Sequence, residues 1–350
     1  NSHITTRESM KPLRIVFMGT PDFAVPSLQE LATSHHQVVA VVTAPDRPAG
    51  RGQILQEPAV KKSARVLGID ILQPEKLRDP GFLTQLSAFH ADLFVVVAFR
   101  MLPEEVWSMP GLGTVNLHAS LLPQYRGAAP IHRAIINGEI QTGVTTFLIE
   151  KEIDTGKILM QQKVPIGPQD TAGHLHDQLM TIGAGLLLRT VEALSLGTLT
   201  PLHQQAVPTE GPLRTAPKLF RQDGCIPWSL PSRTIFNLIR GLSPYPAAWT
   251  TLVSPSGNQL TLKIYAAEAP DTYPAASTLC AQVPTPGQQP SVNCANVLPG
   301  TIHADGKKYL RVATGDGWLS LTEVQMEGKK RMSVSEFLRG LPNISAYRII

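Results

Sequence analysis

Short runs of consecutive apolar residues punctuate the first half of the chain, at Leu13–Met18, Val38–Thr43 and within Asp92–Ala98. A strand that is apolar at nearly every position is buried on both faces, the pattern of a parallel sheet covered by helices. Helical spacing of apolar positions appears between the runs, over Val25–Ala32 and near Ala59–Leu67. Thr114–His118 and Gly143–Ile149 are further strand candidates. The alternation predicts an α/β fold with a doubly wound, mostly parallel, Rossmann-like sheet, whose ligands are expected beyond the carboxyl ends of its strands.

The pattern changes in the second half. His174–Leu196 reads as one amphipathic helix interrupted by Gly183 and Gly185, followed by a stretch rich in Thr, Pro and Gln. Short alternating segments then recur at Gln259–Ala266, Gly300–Ile302, Tyr309–Ala313 and Trp318–Gln325, which suits a small C-terminal β-barrel of the OB-like type. Pro270–Pro299, dominated by Pro, Gln, Ser, Thr and Ala, is expected to be a long loop inside that barrel. The expected organisation is therefore a short segment 1–12, either a leader or an expression remnant, a first domain (13–197), an exposed linker (198–216) and a barrel domain (217–350).

Composition narrows the class. The 350 residues are 43% hydrophobic and 17% charged, enough apolar material for a large core and too little charge for a disordered chain. No apolar run approaches the roughly 18 residues of a membrane span, and no secretory leader is evident. The three cysteines, Cys225, Cys280 and Cys294, form no CxxC pair, and an odd number argues against a disulfide framework and for reduced thiols in the cytosol. Residues 1–215 hold 18 Lys and Arg against 19 Asp and Glu, whereas residues 216–350 hold 13 against 8. The excess charge of +4 thus sits in the last third, where it favours a polyanionic partner or simply solubility.

Several chemistries find no support. Gly111-Leu-Gly-Thr-Val-Asn116 begins like a dinucleotide fingerprint but lacks its third glycine and precedes a strand, and Gly183-Ala-Gly185 lies in mid-helix. No phosphate-binding GxxxxGK[ST] is present. His174 and His176, two apart on a helix, point to different faces, and His35-His36 reads as a solvated turn, so no metal site is expected.

The segment from Asn116 to Pro130 stands apart. On an extended chain Asn116 and His118 share one face, and the strand ends there in a loop beginning at Ser120. An amide and an imidazole at the carboxyl edge of a sheet can stabilise an oxyanion and move a proton. Asp154, in the segment following the Gly143–Ile149 strand, can reach the same edge. Taken singly, each also fits a local structural role, such as a turn built from Asp154 and Gly156.

These residues carry a resemblance. NLHASLLPQYRGAAPIHRAIINGE followed by TGVTTFLIEKEIDTG resembles the signature of the 10-formyltetrahydrofolate-dependent formyltransferases. GTPDFAVPSL, APDRPAGRG and VATGDGWLSL extend the similarity from Leu13 nearly to the end and are similar to the branch acting on initiator methionyl-tRNA, with Pro270–Pro299 as an added loop. The resemblance implies catalysis by Asn116, His118 and Asp154; on physical grounds the amide and ring are expected to donate to the formyl oxygen, with Asp154 orienting the ring. It implies folate contacts at Ser120, Leu121, Leu122 and Pro123. It implies tRNA contacts at Arg47 and Arg51, and the basic barrel residues Lys307, Lys308, Lys329, Lys330 and Arg331 are expected to meet phosphate. The partners implied are 10-formyltetrahydrofolate as formyl donor and methionyl-tRNA as acceptor, with no metal, no membrane, a monomer and a cytoplasmic setting. One loop departs from the family pattern. After the VVVA strand the family continues Ala-Tyr-Gly beside the pterin, whereas this chain runs Ala98-Phe99-Arg100-Met101-Leu102-Pro103. A formyltransferase acting on a small ribonucleotide or sugar amine would share the trio without needing a basic barrel. A non-catalytic RNA-binding protein and a nicotinamide oxidoreductase are less favoured, the latter for want of its glycine fingerprint.

Overall fold

The computed structural model describes residues 11–49, 54–209, 211–270, 297–341 and 343–350. In chain order the first elements are β1 (Arg14–Gly19), α1 (Val25–Thr33), β2 (Gln37–Val42), β3 (Arg47–Ala49), β4 (Ile54–Gln56), α2 (Ala59–Val66), β5 (Ile71–Leu72), α3 (Pro80–Ala88) and β6 (Leu93–Val97). They continue as α4 (Glu104–Trp107), β7 (Thr114–His118), α5 (Pro130–Ile136), β8 (Gln141–Leu148), β9 (Ile158–Pro165) and α6 (Ala172–Ser195).

One seven-stranded sheet runs β5-β2-β1-β6-β7-β8-β9. Its β5, β2, β1, β6 and β7 are mutually parallel, and β8 and β9 add antiparallel to that edge. The apolar runs behave as their composition predicts: every residue of β6 is buried, as are five of the six in β1. The strand order reverses between β1 and β6. That places the crevice of a doubly wound sheet at the loops after β1, β6 and β7.

Two elements differ from their sequence expectation. Helix α6 is continuous through Gly183 and Gly185. A Cβ at Gly183 would stand 2.8 Å from Leu117 Cδ2, so this glycine serves close packing of the helix on β7 and does not interrupt it. The Pro- and Gly-rich segment after β2 also contains paired strands, β3 against β4, with Arg47 opposite Gln56. Lys61 of α2 ties down the approach to that pair, meeting Asp46 at 2.5 Å and Glu57 at 3.2 Å, while Gln73 donates to Asp46 and to the Ala44 carbonyl.

Contacts divide the chain into two compact units, the second comprising His132–Ile140, Gly167–Gly173 and Leu219–Ile350. The two short segments join it for physical reasons. His132 bonds the Gly241 carbonyl at 2.8 Å, and Arg240 donates to the carbonyls of Gly167 and Asp170. The second unit holds α7 (Ser232–Leu242), β10 (Ala248–Val253), β11 (Gln259–Ala267), β12 (Ile302–Ala304), β13 (Leu310–Ala313), β14 (Trp318–Met326), β15 (Met332–Ser333), α8 (Val334–Gly340) and β16 (Arg348–Ile349). Its strands form an antiparallel, barrel-like sheet in the order β12-β13-β14-β11-β10-β16, with β15 paired to β14. Ile235, Phe236, Ile239 and Leu242 repeat at helical spacing and are buried, so α7 plugs the core of this sheet. Most of the long loop expected at Pro270–Pro299 lies outside the described residues, as do Cys280 and Cys294.

His36, expected in a solvated turn, is instead 5% exposed. Its Nδ1 accepts from the Leu13 backbone N–H at 3.2 Å, and Nε2 is buried with no partner among the described residues. Burial, reinforced by the adjacent His35, lowers its pKa to about 4. The unfolded chain binds a proton at this site below about pH 6.5 while the folded chain resists until about 4, so stability falls as pH drops through that window. The loss attributable to His36 is at most about 3 kcal/mol. Urea denaturation between pH 7 and 4 should show this decline, and the slope should be shallower in His36→Gln; an unchanged slope would remove His36 as its source.

Candidate active site

Strand β7 delivers Asn116 and His118 to the carboxyl edge, and register sets their neighbours. Asn116 lies between Val96 of β6 and Phe147 of β8, and His118 opposite Thr145 of β8. Asn116 is half-buried, and its carboxamide has no hydrogen-bond partner among the described residues. The His118 ring is buried against Phe147, edge to face with centroids 6.5 Å apart. Its Nε2 lies 2.9 Å from the Tyr125 carbonyl oxygen. A carbonyl only accepts, so Nε2 carries the proton of that bond. The other ring nitrogen, Nδ1, faces Asp154 Oδ2 at 3.9 Å. That separation is longer than a hydrogen bond and short enough for one ionic partner to feel the other.

Asp154 comes from the loop joining β8 to β9 and adopts a left-handed φ of +55°. Asp tolerates that region better than most residues. Its Oδ2 accepts the Gly127 backbone N–H at 3.0 Å. Two glycines permit this meeting of loops. A Cβ at Gly156 would overlap the Leu148 carbonyl oxygen, and one at Gly127, where φ is +123°, would stand 2.5 Å from the Ala216 oxygen. The Asp-Thr-Gly run therefore has a steric reason.

The sequence reading missed the residue that locks this loop. Gln204 is 1% exposed and donates through Nε2 to the carbonyls of Asp154 (2.8 Å) and Gly156 (2.9 Å). Its Oε1 accepts from Arg126 Nε and Nη2, at 3.0 and 2.6 Å. Gln204 belongs to the stretch expected as an exposed linker. That stretch is exposed at many positions, yet it buries Gln204 and Ala216 and bonds back to the site loop through Arg214 O to Tyr125 N and Ala216 N to Arg126 O. Nothing in a single sequence separates a buried glutamine from a solvated one in a Gln- and Thr-rich run.

Thr145 and Gln161 were missed as well. Thr145 is fully buried; its hydroxyl donates to the Ser120 carbonyl at 2.6 Å and accepts from Leu122 N at 3.2 Å. Gln161 Nε2 donates to that hydroxyl and to the Leu122 carbonyl, both at 2.9 Å. Together they hold the Ser120–Pro123 turn, in which the Leu122–Pro123 peptide is cis. Ser120, Leu122 and Pro123 are buried and Leu121 is half-buried, so the turn is a rigid shelf beside His118.

The departing loop after β6 has its own anchoring. Arg100 donates to the carbonyls of Glu75, at 3.0 Å, and Pro74, and its guanidinium lies 5.6 Å from the Phe99 ring centroid. Burial lowers its pKa, an effect opposed by Glu75 and reinforced by Arg47. A cleft of about 380 Å³ lined by Gln73, Glu75, Lys76, Asp79 and Gln85, among others, includes none of the predicted site residues. Of the other predicted residues, Arg47 is exposed on β3, and Arg51 lies outside the described residues. Lys307 and Lys308 sit in the turn between β12 and β13, and Lys329 and Lys330 in that between β14 and β15, all exposed. Arg331 is already engaged: it donates to both Glu323 carboxylate oxygens at 2.6 Å and lies 4.3 Å from the Tyr265 ring centroid. Among the described residues no group of three or more His, Cys, Asp or Glu could hold a metal ion, and no helix is long and apolar enough to cross a membrane.

The chain is similar to known proteins over most of its length. Residues 13–191 match the formyl transferase family, and residues 218–342 match the formyl transferase C-terminal domain, which defines the class as a formyl transferase. The likeness extends to folds: a sugar 3N-formyl transferase, WlaRD, solved with dTDP and 5-N-formyl-THF, superposes with a TM-score of 0.55 at 18% identity, over 91% of this chain and 100% of that one. HypX from Aquifex aeolicus, in complex with tetrahydrofolic acid, gives 0.57 at 16% identity, over 94% of this chain and 47% of its own. Within the class, the chain belongs to the methionyl-tRNA formyltransferase family. It is 47% identical to the member from Bacteroides thetaiotaomicron and 49% identical to that from Parabacteroides distasonis, in each case over 96% of this chain and 98% of the relative.

The Gln204 bonds generate a prediction. Gln204→Ala leaves two buried carbonyls and the Arg126 fork without their partner, at about 1–3 kcal/mol for each unsatisfied group. The variant should melt earlier, and displacement of Asp154 should cut formyl-transfer turnover about ten- to hundred-fold. Full turnover in a folded Gln204→Ala protein would show that Asp154 needs no such support.

Proposed function

We propose that the protein moves the formyl group of 10-formyltetrahydrofolate onto the α-amino group of methionine esterified to initiator tRNA. The observation that carries this reading is the meeting of a carboxamide with no hydrogen-bond partner among the described residues, a buried imidazole and a carboxylate at the end of β7, in a chain nearly half identical to named methionyl-tRNA formyltransferases.

The amine must be neutral to attack. An α-amino group with a pKa near 8 is mostly protonated at pH 7, so proton removal is part of the task. As the amine adds to the formyl carbon, negative charge builds on the formyl oxygen, and the Asn116 carboxamide N–H donates to it. The ring of His118 has spent its Nε2 proton on the Tyr125 carbonyl, which leaves Nδ1 as a base facing the site. Nδ1 takes the proton lost by the amine, and Asp154 stabilises the resulting imidazolium across the 3.9 Å gap. The ring then returns that proton to the departing nitrogen of the donor, so proton and formyl group exchange places and the enzyme is restored.

The shelf Ser120-Leu121-Leu122-Pro123 is the proposed seat of the folate beside this trio. Ser120, Leu122 and Pro123 are buried, and the Ser120 carbonyl and both Leu122 backbone groups are already bonded to Thr145 and Gln161, so the half-buried Leu121 is what the shelf chiefly offers a ligand. Arg47 and Arg51, together with Lys307, Lys308, Lys329 and Lys330, are proposed to meet tRNA phosphate, with Arg331 contributing mainly through Glu323 and Tyr265. The protein is proposed to act as a monomer in the cytoplasm, the setting of translation initiation.

Asn116→Ala and His118→Ala should each lower turnover about a hundred- to a thousandfold with the fold intact, the usual loss for one preorganised group. The acceptor is tested by assaying methionyl-tRNA beside free methionine with 10-formyltetrahydrofolate. The reading expects strong preference for the tRNA ester, and comparable rates on the free amino acid would overturn it.

A further inference from the structure

The outer face of the second unit carries a feature the scheme above does not use. In the register of β12, β13 and β14, Ile302, Val312 and Leu319 are buried and point to the core. Their neighbours His303 and Arg311 are paired across the sheet on the opposite face and are exposed. Tyr309, just before β13, lies 5.5 Å from the His303 ring, and Trp318, at the start of β14, lies 5.9 Å from it on the other side. The Arg311 guanidinium stands 5.0 Å from the Tyr309 ring centroid. Three rings and a planar cation thus form a continuous stripe. The core does not require them, because the inward positions of the same strands already fill it.

Charge frames the stripe. Lys307 and Lys308 project from the turn next to Tyr309, and the antiparallel pairing puts the Lys329–Lys330 turn at the same end of the sheet. The one carboxylate in the first turn, Asp305, is committed to the backbone: it accepts from the N–H groups of Lys308, Lys307 and Tyr309 at 2.7, 2.9 and 3.1 Å, which hold its pKa down at about 2. Aromatic faces beside cations are how proteins hold unpaired nucleotides, the rings stacking on bases while the cations follow phosphate. A paired A-form helix exposes no base face to such a stripe, and an acidic peptide would use the lysines without the rings.

We propose that Tyr309, His303, Trp318 and Arg311 form a stacking platform for unpaired bases of the tRNA substrate, with Lys307 and Lys308 on the adjoining phosphates. The proposal rests on the acceptor reading above and adds to it a contact that depends on base faces. It follows that tRNA affinity has a part insensitive to salt, alongside the phosphate part that salt weakens.

The test is binding of deacylated initiator tRNA by fluorescence anisotropy, on the full chain. His303→Ala/Tyr309→Ala should weaken binding about tenfold or more, leave the slope of log Kd against log salt unchanged, and leave the KM for 10-formyltetrahydrofolate unchanged. His303→Phe/Tyr309→Phe should restore affinity, since rings and not polar atoms are required. Lys307→Gln/Lys308→Gln should reduce the salt slope by about 2. An unstructured oligoribonucleotide should compete for the wild-type protein and lose its advantage over a paired duplex on the ring-deleted variant. Wild-type tRNA affinity in a folded ring-deleted protein overturns the platform, as does a failure of the Phe variant to restore binding, or an equal loss for oligomer and duplex. Absence of formyl transfer to methionyl-tRNA by the wild-type protein overturns instead the function proposed above.

Discussion

The geometry at the end of β7 depends on one buried carboxamide. Gln204 can make four hydrogen bonds and makes all four: two donated to the Asp154 and Gly156 carbonyls, two accepted from Arg126. In a low-dielectric interior such a closed set is stronger than its members separately, and leaving it partly unmade is costly. The network fixes a loop whose key residue sits in a left-handed conformation. It thereby makes the Glu150–Gly156 segment a support for a single carboxylate. Arg126, bonded to Gln204, is followed by Gly127, whose N–H grips that same carboxylate. The orientation of Asp154 is therefore determined by backbone amide and side-chain amide together, and the His118–Asp154 separation follows from it.

The parts of this design that come from periodicity were legible in the sequence. Continuous apolar runs gave away β1, β2 and β6 because strands buried on both faces leave no polar positions, and alternation gave away the barrel strands around Trp318. Asn116 and His118 were readable as a pair because a strand repeats every two residues. What depends on tertiary proximity was not legible. The edge strand β9 alternates weakly, with Gln161, Gln162 and Lys163 in its middle, and its role emerges only from Gln161 bonding Leu122. Gln204 was hidden in a polar run, and His36 was taken for a surface residue because its neighbours Ser34, His35 and Gln37 are polar. Gly183 looked like a helix breaker and is a spacer against Leu117. In each case the missing information was the identity of the residue across the gap.

The loop after β6 shows how a departure from a family pattern can be absorbed. Arg100 would be an expensive occupant of a site rim if its guanidinium were left pointing inward. It is instead turned onto the Pro74 and Glu75 carbonyls and packed against Phe99, which satisfies part of its fork and leaves Nε without a partner among the described residues. Its pKa is nevertheless pulled down by burial and by Arg47.

The tautomer of His118 follows from the Tyr125 carbonyl. A ring bonded to a carboxylate through its protonated nitrogen presents its second nitrogen to substrate as a base. Here the protonated nitrogen is satisfied by a main-chain oxygen, and the basic nitrogen is the one that faces the carboxylate. In this tautomer the lone pair of Nδ1 lies toward the carboxylate, 3.9 Å away. In the proposed scheme, proton uptake from the amine coincides with the appearance of negative charge on the formyl oxygen. Tyr125 itself has a left-handed backbone, φ +59°, and its N–H is held by Arg214 O at 2.7 Å, so the carbonyl that sets the tautomer is fixed by the same segment that carries Gln204. The stretch between the two family domains thereby bears on the positions of ring and carboxylate at once.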